Sequence, residues 1–130
     1  MEARIMPVSA VLFVKNLDRV ASFYRAALGL DCVQQSAEHW RFVCRGFEFT
    51  VHRIPTALAQ GIVTSQPPQR REGASLRLTF PVVDTVAVRA AAHLLGGQID
   101  NSPPQWAARD ADVFLGCDPE GNVFLIEGPA

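Results

Sequence analysis

Hydrophobic and polar positions along this chain run through the same succession of periods twice. Residues Val8–Val14, "VSAVLFV", form a short apolar run with the length and β-branched content of a buried strand. The period then changes. Val20, Phe23, Tyr24, Ala27 and Leu28 recur at i, i+3, i+4, i+7 and i+8, which predicts one apolar stripe on a helix. Asn16 stands where a side chain can cap that helix, Asp18 places a negative charge in its first turn, and Gly29 supplies a stop. Three strand candidates follow: "LDCVQQ", "HWRFVC" and "FEFTVHRI".

The second half repeats the plan. "LRLTFPVV", Leu76–Val83, is strand-like, and Pro81 near its end predicts an edge or a bulge. Asp84 is again a cap, Val88, Ala91, Ala92 and Leu95 again share a helical stripe, and Gly96-Gly97 again ends it. Strand candidates "GGQID", "DVFLGC" and "NVFLIEG" complete the unit. The fold class is therefore α+β, two tandem βαβββ modules with helices against one face of the sheet. Module one covers about residues 6–54, a connector rich in Pro, Gln and Gly covers 55–74, and module two covers 75–130, all within a single domain.

Composition narrows the picture. The 130 residues are 48% hydrophobic and 19% charged, enough for one globular domain with its own core. A net charge of -1 without a basic block argues against nucleic-acid partners. The opening "MEARIMPVSAVLFVKN" has neither the length of a spanning helix nor a signal-peptide layout, so a cytoplasmic protein with no membrane partner is expected. Three cysteines, Cys32, Cys44 and Cys117, with no C-x-x-C, argue against a disulfide framework or a zinc knuckle; they read as small buried thiols. There is no P-loop, dinucleotide fingerprint or G-x-S-x-G, and no cofactor is expected.

The order of motifs resembles the vicinal oxygen chelate superfamily, the fold of glyoxalases, bleomycin-resistance proteins and extradiol dioxygenases. The resemblance rests on Val14-Lys15-Asn16-Leu17 after the first strand, Phe23-Tyr24 in the helix, Leu28-Gly29-Leu30 at its end, and "DPEGNVFLIEG" at the close of the chain. It implies a curved mixed sheet around a cleft, helices on its outer face, and a homodimer. It also implies where a divalent ion would be held: four inward-facing positions on the first and last strands of each module. By register these are Ser9, Thr50, Arg77 and Leu125. Leucine has no donor atom, and an arginine is a permanent cation. Two hydroxyls do not replace the imidazoles and carboxylates such an ion needs. A metal site is therefore not expected, and metal-dependent glyoxalase, dioxygenase or fosfomycin-type chemistry is disfavoured.

Strand alternation assigns the cleft-facing groups. In "FEFTVHR" the apolar set packs under the helix and Glu48, Thr50 and His52 face inward. Ser9, Val11 and Phe13 on the first strand, Arg77 and Thr79 in the second module, and Leu125 and Glu127 on the last strand complete the set. Arg77 is expected either to contact a ligand or to form an ion pair with Glu48 or Glu127. Trp40 and Phe42 share a strand face that belongs either to the cleft wall or to the core. Trp106, in "SPPQWAARD", serves either as a ligand lid or as an interface plug. His39 reads as a turn residue, and Asp110 and Asp112 as solvated turn residues.

These readings favour a metal-independent binding protein for an anionic or aromatic small molecule. The alternatives are a metal-free isomerase or lyase, with His52 or Glu127 as base and Arg77 steadying an oxyanion, and a scaffold domain with a vestigial cleft. Bleomycin itself is disfavoured, because a cationic drug is repelled by an inward arginine.

Overall fold

The computed structural model describes residues 8–107 and 112–129. Asp110 lies outside them. Module one runs β1 (Ser9–Val14), α1 (Leu17–Ala26), β2 (Asp31–Gln35), β3 (His39–Cys44) and β4 (Phe47–Arg53). A short helix in the connector, α2 (Thr56–Ala59), was not signalled by the sequence pattern. Module two runs β5 (Thr79–Pro81), α3 (Thr85–Leu94), β6 (Gln98–Ile99), β7 (Val113–Cys117) and β8 (Val123–Glu127). Each module builds a mixed four-stranded sheet, in the orders β1-β4-β3-β2 and β5-β8-β7-β6. The first strand of each lies parallel to the last and the others are antiparallel.

Both expected caps form. Asn16 accepts from the Arg19 N–H at 3.2 Å, and Asp84 accepts from the Val86 and Ala87 N–H groups. The strand expected over Leu76–Val83 forms only over Thr79–Pro81, although single bonds to β8 run on at both ends, from the Leu125 N–H to the Leu78 carbonyl and from the Val82 N–H to the Glu127 carbonyl. Asp112 is not simply solvated: its carboxylate accepts from the Thr85 hydroxyl at 3.1 Å, at the start of α3.

One core serves both modules. The helix-facing sides of the two sheets and α1 contribute to a single buried cluster including Phe23, Tyr24, Phe42, Phe49, Phe80, Phe124 and Ile126. Aromatic pairs cross between modules: Phe49 with Phe80 at 5.4 Å, Tyr24 with Phe80 at 5.8 Å, and Phe23 with Phe124 at 6.0 Å. Such edge-on and tilted contacts add to the large area each ring removes from water. Gly97 permits the close approach, since a Cβ there would stand 2.3 Å from the Phe23 ring. The opposite faces of both sheets point away from this core. Among the described residues, no helix is long and apolar enough to cross a membrane.

Candidate functional site

The face of the first sheet that turns away from α1 is built by register. Ser9 is opposite Glu48, Val11 opposite Thr50, and Phe13 opposite His52. Because β1 and β4 are parallel neighbours, these six side chains share one face, as alternation predicts. The antiparallel partner β3 adds three more: Val43 opposite Glu48, Arg41 opposite Thr50, and His39 opposite His52. His39 is therefore a strand residue on this face rather than a turn residue. Its ring stacks on His52 at 5.8 Å with 17° between planes, and Phe13 meets the other side of the cluster at 5.4 Å. His52 Nδ1 is 2.7 Å from the Arg53 carbonyl oxygen. Val11 and Phe13 are 53% and 56% exposed, so this aromatic patch is open.

The same register corrects the placement of Trp40 and Phe42 among candidate wall residues. They stand opposite Val51 and Phe49, which face the helix, and they are buried at 3% and 0% exposure. Trp40 is capped there by the Arg25 guanidinium, 4.8 Å from its ring centre. The expected ion pair of Glu48 is also reassigned. Its partner is Arg41, at 3.3 Å on the same face. Half-exposed pairs of this kind contribute little to stability, about 0–1 kcal/mol, so this one mainly fixes charge on the surface.

In the second module Thr79 is opposite Leu125, and Pro81 opposite Glu127. Leu125 is 7% exposed yet stays outside the shared core, consistent with the outer face of its sheet. Arg77 precedes β5. Its Nη2 donates to the Glu72 carbonyl at 3.2 Å, and its buried Nε has no partner, so Arg77 forms neither expected ion pair. Glu127 is exposed and Trp106 is 67% exposed in its loop. The first sheet thus turns a mixed polar and aromatic face away from the common core, whereas the outer face of the second sheet is largely apolar, with Thr79 and Glu127 beside Leu125, Leu115, Val113 and Cys117.

The donor set can be tested directly. Ser9, Thr50, Arg77 and Leu125 do not fit a divalent ion. Among the described residues no three His, Cys, Asp or Glu side chains gather to hold one. Cys117 is not a ready nucleophile, since burial pushes its thiol above the usual range.

A buried polar cluster in the closing turn "DPEGN" escaped the sequence reading. Asp118 is fully buried and accepts from the Tyr24 hydroxyl at 2.8 Å, the Glu120 N–H at 2.8 Å, and the backbone and side chain of Asn122. Burial raises the Asp118 carboxyl above its ordinary value, against the pull of these hydrogen bonds. Burial and the neighbouring Asp118 charge hold the Tyr24 phenol well above its own. Glu120 accepts from the Lys15 and Asn16 N–H groups at 2.8 and 2.6 Å. Gly121, at φ +82, passes so close to the connector that a Cβ would lie 1.9 Å from the Gln69 carbonyl oxygen. The turn therefore fastens the last strand to the strand–helix junction of module one and to the connector.

The fold and motif order agree with comparison to known proteins. The profile of the family described as "Glyoxalase-like domain" matches residues 9–126. The chain belongs to this family. No curated protein sequence matches it significantly. Among solved structures, a glyoxalase/bleomycin resistance protein from Albidiferax ferrireducens T118 is similar at TM-score 0.65 and 22% identity, covering 97% of this chain and 100% of that one. A glyoxalase/bleomycin resistance protein/dioxygenase family enzyme from Burkholderia phytofirmans PsJN is similar at 0.67 and 19%, covering 92% and 95%. The fosfomycin resistance protein FosX from Listeria monocytogenes is similar at 0.62 and 13%, covering 100% and 94%. At these identities the likeness shows the glyoxalase-like fold alone.

Proposed function

We propose that this glyoxalase-like protein binds a small molecule without a metal ion, on the sheet faces that carry Phe13, His52 and Arg77. The reading rests on the family resemblance, which puts Leu125 and Arg77 at two positions where a metal-using relative carries donors; in the fold Leu125 stands opposite Thr79, and Arg77 lies just before β5. An aliphatic group and a cation there repel an ion but suit an organic anion. The open Phe13–His52–His39 patch supports a planar ring, and a guanidinium supports a carboxylate or phosphate on it. Ser9 and Thr50 on the first sheet and Thr79 on the second supply neutral hydrogen bonds.

Two copies of the chain complete the site in this reading. Each module turns its outer sheet face away from the shared core, so module two does not cover the aromatic patch of module one through that core. A homodimer that sets one copy's first sheet against the partner's second sheet would enclose both. Sedimentation velocity then gives the mass of two chains; a monomer across the working concentration range contradicts this part of the reading.

A thermal-shift screen with anionic aromatic compounds tests the binding claim. A ligand that binds only the folded state raises the melting temperature by mass action. Arg77→Ala abolishes that rise. A shift that survives Arg77→Ala shows that Arg77 is not the anchor, and no shift across a broad panel favours a scaffold role.

One observation favours a second reading. His52 sits on the open face with both its neighbours aromatic, where a base has access to a bound ligand. A metal-free isomerase or lyase would use it so. Turnover of the best ligand, lost in His52→Ala, supports that reading over simple sequestration.

A further inference from the structure

The open face of the first sheet ends in a row of rings, Phe13 on β1, His52 on β4 and His39 on β3. His52, in the middle, has its proton placed by the backbone. Its Nδ1 stands 2.7 Å from the Arg53 carbonyl oxygen. A carbonyl only accepts, so Nδ1 carries the hydrogen and donates. In the neutral ring that leaves a lone pair at Nε2. Nε2 makes no hydrogen bond among the described residues, where the buried nitrogens without a partner belong to Trp40, Arg41, Arg77 and Arg89. Nε2 of the half-buried His52 is therefore both free and accessible. The carboxylate of this face is drawn elsewhere, since Glu48 pairs with Arg41 at 3.3 Å. His39 stacks on His52 without a hydrogen bond that fixes its own tautomer among the described residues. His52 Nε2 is thus a fixed acceptor beside the apolar end of the face, where Val11 and Phe13 are open.

A ligand ring lying on Val11 and Phe13 brings its edge to His52 and displaces water from Nε2. A ring whose edge carries an N–H or O–H restores the hydrogen bond that the water made. A ring without one leaves the acceptor unpaired, and a site built this way rejects the analogue that lacks the donor. We propose that the ligand of this face is a planar aromatic compound with a hydrogen-bond donor on its ring edge, received by His52 Nε2. The inference rests on the reading that this face binds a small molecule, and goes beyond it by fixing what the ligand presents.

The test uses matched probes, indole-3-carboxylate against 1-methylindole-3-carboxylate and 4-hydroxybenzoate against 4-methoxybenzoate. Each is titrated into the ¹⁵N-labelled full chain in mildly alkaline buffer, which keeps free imidazoles neutral. In at least one pair the donor-bearing member is expected to bind about tenfold more tightly, read from saturable amide shifts at Val11, Phe13 and His52. The discriminating pair tells an N–H from an O–H donor. His52→Phe keeps a ring between Phe13 and His39 and removes the acceptor. The affinity ratio within that pair is then expected to fall to about one, whereas a preference caused by the bulk of the added methyl group would survive. Should that variant fail to fold, imidazole ¹⁵N spectra of the unsubstituted chain decide, with His52 expected to hold its proton on Nδ1 and a bare Nε2. Equal binding within both pairs, a ratio that His52→Phe leaves intact, or a His52 proton on Nε2 overturns this inference and leaves the ligand reading standing. No saturable shift with any probe overturns the ligand reading and this inference with it.

Discussion

The Tyr24 hydroxyl donates to the Asp118 carboxylate at 2.8 Å, joining the helix of the first module to the closing turn of the second across a fully buried contact. It is a polar contact against a core otherwise made of aromatic and aliphatic side chains. Removing the hydroxyl leaves a buried carboxylate oxygen short of a donor without changing the ring packing against Phe49 and Phe80. Hydrogen bonds to charged groups contribute about 1.5–3 kcal/mol. Tyr24→Phe is therefore expected to lower the unfolding free energy by about that amount, read from urea denaturation at an unchanged slope.

Asp118 gives the fold a pH dependence of defined sign. Its folded value is raised above the ordinary 3.8 by burial, so the folded state holds its proton to higher pH than the unfolded chain. Stability from this group is fully present below 3.8 and is lost as pH rises through the raised folded value. The difference in unfolding free energy between the wild type and Asp118→Asn is expected to move against the wild type as pH rises over that window. Denaturation curves of both proteins at several pH values check it; a difference that moves the other way contradicts the assigned shift.

Glu120 ties the closing turn to the start of α1 through two backbone N–H groups, at Lys15 and Asn16. Glu120→Ala leaves both donors without their acceptor in a partly buried place, at about 1–3 kcal/mol. Hydrogen exchange should then quicken at Lys15 and Asn16 more than at the middle of α1. An equal change along the whole helix would show that Glu120 acts only on global stability.

Much of the fold was legible because it is written in short-range periods. The 3.6-residue stripe from Val20 to Leu28 and the two-residue alternation of Phe47–Arg53 fix which side of each element is apolar, and both elements bury that side. The faces of Ser9, Thr50 and Leu125 followed from the same alternation. Trp40 and Phe42 were ambiguous only while β3 was read alone; pairing Trp40 with Val51 and Phe42 with Phe49 decides for the core. That same pairing brings His39 and Arg41 to the open face, where the sequence reading had not put them. The Tyr24–Asp118 contact was not legible, because it joins residues far apart in sequence, across elements whose mutual placement no local period encodes.

Metal independence underlies the proposed function, since the family resemblance puts Arg77 and Leu125 where donors would be needed. Elemental mass spectrometry of protein purified without chelators, normalised to chain concentration, tests it most directly. Transition-metal content is expected to be far below one ion per chain and to stay so after dialysis with zinc, nickel, manganese or iron. One tightly held ion per chain that survives dialysis would contradict it.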